Sequence, residues 1–153
     1  MPLSDDVVIE PARAADDEWC AHVMASTDPW LTLGRDLAGC RVAVRRPGAE
    51  LYLARRGEEP LGFILLHPTG AMGSPYVASV AVAAAARGQG VGQRLLDFAD
   101  HRYAGARNIF LCVSDFNTDA RRLYQRVGYE VVGELEDYVV AGRSEVLMRK
   151  RLA

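Results

Sequence analysis

The chain has 153 residues, half of them hydrophobic and a quarter charged, with a formal net charge of −2. This composition is typical of a single soluble globular domain and excludes intrinsic disorder. The 18 basic residues comprise 17 arginines and one lysine, but 20 acidic residues offset them. Without an overall positive field to hold a phosphate backbone, we expect no nucleic-acid partner.

The cysteines and the apolar stretches restrict the compartment. Cys20, Cys40 and Cys112 are widely spaced and odd in number, which favours neither a disulfide framework nor a metal site. No apolar run follows the acidic first residues, and the longest apolar-like stretch, 77–86, is too short to span a bilayer. We expect a cytoplasmic protein that binds no metal and no membrane.

In chain order, hydrophobic periodicity and turn residues predict a strand, two helices and then three strands. The breaker-rich segment 26–34, between the two helices, carries Trp30, which is expected to be exposed. The predicted bounds are 7–10 for the strand, 16–26 for the first helix, 33 or 35 to 45 for the second, and 51–54, 61–66 and 76–82 for the strands, with a loop over 67–75.

The second half of the chain alternates helix and strand signals. A helical apolar face begins at Val91, an apolar strand follows at 109–113, and a second helical stripe ends at Gly128, a typical C-cap residue. Two more strands are predicted at 130–135 and 145–149. The order β-α-α-β-β-β-α-β-α-β-β predicts one α/β (α+β) domain over 1–153, with helices on both faces of a mixed sheet.

The stretch 87–92, with the sequence R-G-Q-G-V-G, lies directly between a strand and a helix. Alternating glycines allow successive N–H groups to converge on an anion at the helix N-terminus, which predicts a diphosphate cradle. A dinucleotide fingerprint, and with it a Rossmann-type oxidoreductase, is excluded because Gln93 stands where the third glycine belongs. A Walker A loop is excluded because the only lysine is Lys150. A simple glycine turn remains an alternative.

A second motif, N-x-x-A-x-x-L-Y-x-x-x-G-Y, occupies 117–129. Taken alone, it indicates a helix with Asn117 as its N-cap and Tyr124 as a core aromatic residue. Together with R-x-x-G-x-G at 87–92 and the strand at 80–82, it resembles the GNAT superfamily of acetyl-CoA-dependent N-acetyltransferases. That resemblance implies a mostly antiparallel sheet splayed between its fourth and fifth strands. The tail, with E-D-Y at 136–138, is similar to that of the ribosomal-protein N-terminal alanine acetyltransferases.

The resemblance implies acetyl-CoA as co-substrate and assigns roles to named residues. The N–H of Val82 would polarise the thioester carbonyl, Asn117 would hydrogen-bond the pantetheine arm, and Tyr124 would protonate the leaving thiolate. Arg122 is a candidate for the 3′-phosphate. The implied cofactor-binding residues are Val80, Ala81, Val82, Arg87, Gly88, Gln89, Gly90, Val91, Gly92, Gln93, Asn117 and Tyr124.

At the positions where the family carries its general base, this sequence has no carboxylate. Cys112 stands where the alanine acetyltransferases carry a glutamate, and Ala78 and Ser79 stand where other members carry a carboxylate. Three explanations stay open: a water relay polarised by backbone carbonyls or by a carboxylate, a weakly basic acceptor amine that needs little help from a base, or an acetyl-cysteine intermediate on Cys112. The candidate carboxylates for the relay are Asp115, Glu136 and Glu145.

The acceptor is expected to be an amine, such as a peptide or protein N-terminus. Its binding residues are predicted on variable loops, at Trp30 and Tyr138. For Trp30, a packing anchor beside Pro29 is an equal alternative. The open alternatives are a small-molecule amine acetyltransferase and a non-catalytic module that senses acyl-CoA. A homodimer is kept as an alternative to a monomer, because dimers are common in proteins that resemble this one.

Overall fold

A computed structural model describes residues 6–153, which form a seven-stranded sheet with the strand order β1-β2-β3-β4-β5-β7-β6. All neighbouring strands pair antiparallel except β4 and β5, which are parallel. The elements are β1 Val7–Pro11, α1 Asp16–Ala25, α2 Leu37–Val44, β2 Glu50–Arg56, β3 Glu59–Ala71, β4 Ser74–Val82, a 3₁₀ turn Ala84–Ala86, α3 Val91–Arg102, β5 Asn108–Ser114, α4 Thr118–Arg126, β6 Glu130–Leu135 and β7 Glu145–Arg151.

Helices cover both faces of the sheet, as the element order predicts. Because strand side chains alternate between faces, Phe63 and Ala81 pack with α1 and α2, whereas Ile64 and Val80 pack with α3 and α4. Each face therefore has its own apolar core. Within residues 6–153, no helix is long and apolar enough to cross a membrane.

Two predicted boundaries are wrong. The segment predicted as a loop over 67–75 is mostly strand, because β3 continues to Ala71 and a tight turn at Met72 and Gly73 leads into β4. The second helix begins at Leu37 rather than at 33 or 35, because the Asp36 carboxylate accepts a hydrogen bond from the N–H of Gly39 and fixes the first turn.

The sheet opens between β4 and β5. These strands pair only at Tyr76 with Phe110 and at Val77 with Leu111, immediately before a bulge in β4. Beyond these two pairs, the carboxyl ends of both strands have no partner across the gap. This is the splay that the resemblance implies, and it places an unpaired strand edge in the middle of the sheet.

Candidate active site

A cleft of about 1820 Å³ lies at the splay. Residues of β4 and β5 form its walls, the segment 26–35 and α2 border one side, and the start of α4 borders the other. A smaller cavity of about 240 Å³ adjoins it at the N-terminus of α3. The two spaces share Val82, Arg87, Gly88, Gly92 and Leu123, so they form one continuous binding region.

The glycine-rich stretch turns into α3 with its amides exposed. Gly88 and Gly90 adopt φ angles of 77° and 84°, in the left-handed region that favours glycine. No side chain of the described residues caps α3, and its first backbone hydrogen bond runs from Arg94 N to Gly90 O. The N–H groups of Val91, Gly92 and Gln93 consequently have no acceptor within the helix and can bind an anion.

The free edge of β4 presents amides to the cleft. Ala83 N donates to Leu61 O at 2.8 Å, on the β3 side. Because successive amides of a strand point to opposite edges, the N–H groups of Val82 and Val80 point toward the splay. An extended chain carrying amide groups can therefore add to this edge as a further strand.

Asn117 and Tyr124 also line the cleft. Asn117 stands at the N-cap position of α4, but its side chain makes no capping hydrogen bond, so its amide group is available to a ligand. The Tyr124 ring packs edge-on against Tyr129 at a centroid distance of 6.1 Å. Burial raises the pKa of Tyr124 to about 12, so the phenol is protonated at neutral pH.

Comparison with known proteins identifies the family. Residues 12–129 match the model of the family described as "Acetyltransferase (GNAT) family". The chain belongs to the GNAT acetyltransferase family. It is 30% identical to Uncharacterized protein ML0378 of Mycobacterium leprae over 98% of its own length, and it spans 42% of that relative.

Solved structures show the same fold. A GNAT-family protein from Desulfovibrio desulfuricans has a TM-score of 0.80 and 22% identity, over 96% of this chain and 99% of that one. An aminoglycoside 6′-N-acetyltransferase complexed with coenzyme A has a TM-score of 0.77 and 18% identity, over 95% and 97%. Arabidopsis thaliana NAA60, in complex with a bisubstrate analogue, has a TM-score of 0.76 and 17% identity, also over 95% and 97%.

In this GNAT domain, the predicted cofactor residues lie together with one exception. Gln89 lines neither space, and its side-chain amide lies 3.5 Å from Arg56 and from Ala85 O. Arg126 lines the smaller cavity, whereas Arg122 lines neither space and lies 3.5 Å from Asp119. The eleven other predicted residues line the cleft or the smaller cavity: Val80, Ala81, Val82, Arg87, Gly88, Gly90, Val91, Gly92, Gln93, Asn117 and Tyr124.

The two predicted acceptor residues both border the cleft, but they differ in exposure. Trp30 is only 8% exposed and packs in the core between α1, α2 and the sheet, so the expectation of an exposed ring is wrong. Tyr138 is 66% exposed at the mouth of the cleft. Leu31, Val42 and Val139 are also exposed there, and with Tyr138 they form an apolar rim.

Charges near the rim are mainly positive. Four arginines border this side of the cleft, and two of them, Arg41 and Arg45, are paired with carboxylates of α1. Arg35 and Arg46 have no ion pair within residues 6–153. Asp28, the one carboxylate of the 26–35 segment, accepts two hydrogen bonds from Thr32. This side therefore offers more free positive than negative charge.

Sequence reasoning missed Tyr76, a polar side chain of the cleft wall that lies beside the Cys112 thiol. Burial raises the pKa of Cys112 although interaction with Tyr76 opposes this, so the group is a neutral thiol at pH 7. A neutral thiol is a poor nucleophile, which disfavours an acetyl-cysteine intermediate. In the part of the chain described, no group of three or more His, Cys, Asp or Glu side chains is placed to hold a metal ion.

Proposed function

We propose that the protein transfers an acetyl group from acetyl-CoA to a primary amine. The observation that carries this proposal is the joining of two features in one cleft: the uncapped N-terminus of α3 and the free edge of β4. A helix N-terminus of this kind favours phosphate groups. The amides of Val80 and Val82 suit the extended, amide-containing pantetheine arm. Acetyl-CoA combines these two chemistries in one molecule.

We assign each residue of the cleft a separate role in acetyl transfer. The Val82 N–H, which points into the splay, would hydrogen-bond the thioester oxygen as it gains negative charge. Asn117 would bind the pantetheine arm through its unused amide. The Tyr124 phenol, protonated because burial raises its pKa to about 12, would hydrogen-bond the departing sulfur and supply its proton. Arg87 and Arg126 would add positive charge beside the diphosphate.

The entrance of the cleft favours a peptide N-terminus as the acceptor. Arg35 and Arg46, which have no ion pair within residues 6–153, would repel a polycationic aminoglycoside at this entrance, and the Asp28 carboxylate beside them already accepts two hydrogen bonds from Thr32. The apolar rim suits the side chains that follow a peptide's first amine. An α-amine, with a pKa of about 7.7–8.0, is also far more often neutral at pH 7.5 than a lysine, with a pKa of about 10.4.

The test measures release of free CoA from acetyl-CoA with a panel of amines. One peptide is used in three forms: with a free N-terminus, with a blocked N-terminus, and with a blocked N-terminus plus an internal lysine. An aminoglycoside completes the panel. We expect the highest kcat/KM for the free N-terminus. Faster turnover of the aminoglycoside or lysine would contradict the acceptor class, and acetyl-CoA binding without any turnover would indicate a sensor instead.

We also propose a cytoplasmic location for this reaction. Cys20, Cys40 and Cys112 are all free thiols in the fold. Unpaired cysteines are typical of reducing compartments. Fractionation of cells that express the protein tests this proposal, with membrane or secreted fractions as the contrary result.

A further inference from the structure

Glu145 belongs to a polar cluster on the acceptor side of the splay. β5 and β7 pair in a register that places Ser114 opposite Glu145. Cys112 lies two residues before Ser114, so its side chain points to the same face. Tyr76, on the paired part of the neighbouring strand β4, interacts with Cys112, and burial, helped by the negative charge of Glu145, raises the pKa of Tyr76. These four side chains all line the cleft.

The Glu145 carboxylate is buried and has no cationic partner in the part of the chain that the structure describes. The residue is 8% exposed, and its Oε2 atom has no hydrogen-bond partner among residues 6–153. The charged or titratable groups around it are Asp115, Cys112 and Tyr76. Burial raises the pKa of Glu145; Ser114 partly opposes this shift, and Asp115 adds to it. A buried carboxylate with incomplete hydrogen bonding is costly to stability, so its place in the cleft wall calls for a function.

The two other candidate carboxylates, Asp115 and Glu136, lie outside the cleft wall. Asp115 accepts a hydrogen bond from Ser144 N through Oδ2 at 2.9 Å, and its Oδ1, which has no hydrogen-bond partner within residues 6–153, lies 3.7 Å from the Arg143 guanidinium. Glu136 is exposed on the surface. Neither of these two residues lines the cleft, whereas Glu145 does. The structure therefore separates three carboxylates that are equivalent candidates in the sequence.

We propose that Glu145 accepts the proton that the acceptor amine loses during acetyl transfer. This inference rests on the proposed function. The neutral amine nitrogen forms a bond to the acetyl carbon, and the carbon–sulfur bond breaks. One proton passes from nitrogen to the Glu145 carboxylate, and one passes from the Tyr124 phenol to the sulfur. Exchange with solvent then returns both side chains to their starting states, which leaves an amide and free CoA.

The variant Glu145→Gln tests this role, because it keeps the shape of the side chain but cannot accept the proton. Loss of a general base lowers kcat by about 10²–10⁴-fold, which is the expected effect. The dissociation constant of acetyl-CoA, measured by calorimetry, should stay at the wild-type value. Glu136→Gln makes the same chemical change outside the cleft and should keep the wild-type kcat.

The pH profile separates a catalytic from a structural role. Below the pKa values of both the amine and Glu145, log kcat/KM of the wild type should rise by two units per pH unit. In Glu145→Gln, it should rise by only one, because only the amine still titrates. Wild-type kcat and slope in Glu145→Gln would overturn the inference and leave the proposed function standing. A wild-type protein that releases no CoA with any amine would overturn the proposed function itself.

Discussion

Replacing Gly88 with alanine isolates the contribution of the cradle backbone. Gly88 has a φ of 77°, and a Cβ atom added there would meet no heavy atom of residues 6–153 within 4 Å. The substitution therefore introduces no clash, only the cost of holding an L-residue in the left-handed region, about 1–2 kcal/mol. Gly88 is exposed, so we expect the free loop to relax into another conformation rather than keep this strain.

Relaxation would turn the amides away from their common target, and the cost would appear when acetyl-CoA binds. Since about 1.4 kcal/mol corresponds to a factor of ten, the dissociation constant of acetyl-CoA should rise about 5- to 30-fold. Calorimetric titration measures this change directly. Denaturant unfolding of the same sample reports how much of the cost remains in the free protein.

Gly57→Ala is the matched control. Gly57 also has a positive φ, 61°, and open space around its Cβ position, but it lies in the turn between β2 and β3. We expect this variant to lose stability and to bind acetyl-CoA with the wild-type affinity. An unchanged dissociation constant for Gly88→Ala, or equal weakening in both variants, would refute the assignment of the cradle.

Three further predictions concern the stability of the fold and the Cys112 thiol. Arg55→Ala should lower the free energy of unfolding by about 3 kcal/mol in denaturant titrations, because the buried guanidinium neutralises Glu10 and Asp16. Arg41 on α2 lowers the pKa of Glu18 to about 2. The contribution of Glu18 to the free energy of unfolding should therefore be lost as the pH falls from about 4.5 toward 2, and Glu18→Gln should reduce that loss in denaturant titrations. Cys112→Ser should keep the wild-type kcat, and mass spectrometry should find no acetylated thiol in the wild type.

The sequence predicts the glycine-rich turn into α3 well because this turn is built locally. Alternating glycines before an apolar helical stripe determine both the left-handed turns at Gly88 and Gly90 and the uncapped start of α3. The elements were also predictable in order, since their hydrophobic periods are clear. Their bounds were less so: Pro68 and Gly70 favour a loop in the sequence, but both lie within β3.

The acceptor side depends on contacts between distant segments, which a single sequence does not reveal. Whether Trp30 is exposed depends on how the segment 26–34 packs against α1 and the sheet. The difference between Glu145 and Asp115 depends on the pairing of β5 with β7, which places one carboxylate in the cleft wall and the other beside Ser144. In the sequence, all three are polar or aromatic residues in connecting segments or at strand ends.

The central claim is that acetyl transfer takes place in the cleft between β4 and β5, and Tyr124→Phe tests it most directly. The substitution keeps the ring that packs on Tyr129 and removes only the phenol oxygen. In a coupled assay of amine-dependent CoA release, we expect kcat to fall by about 10²-fold or more while the dissociation constant of acetyl-CoA is unchanged. Full kcat in Tyr124→Phe, or no amine-dependent release by the wild type, would contradict the account.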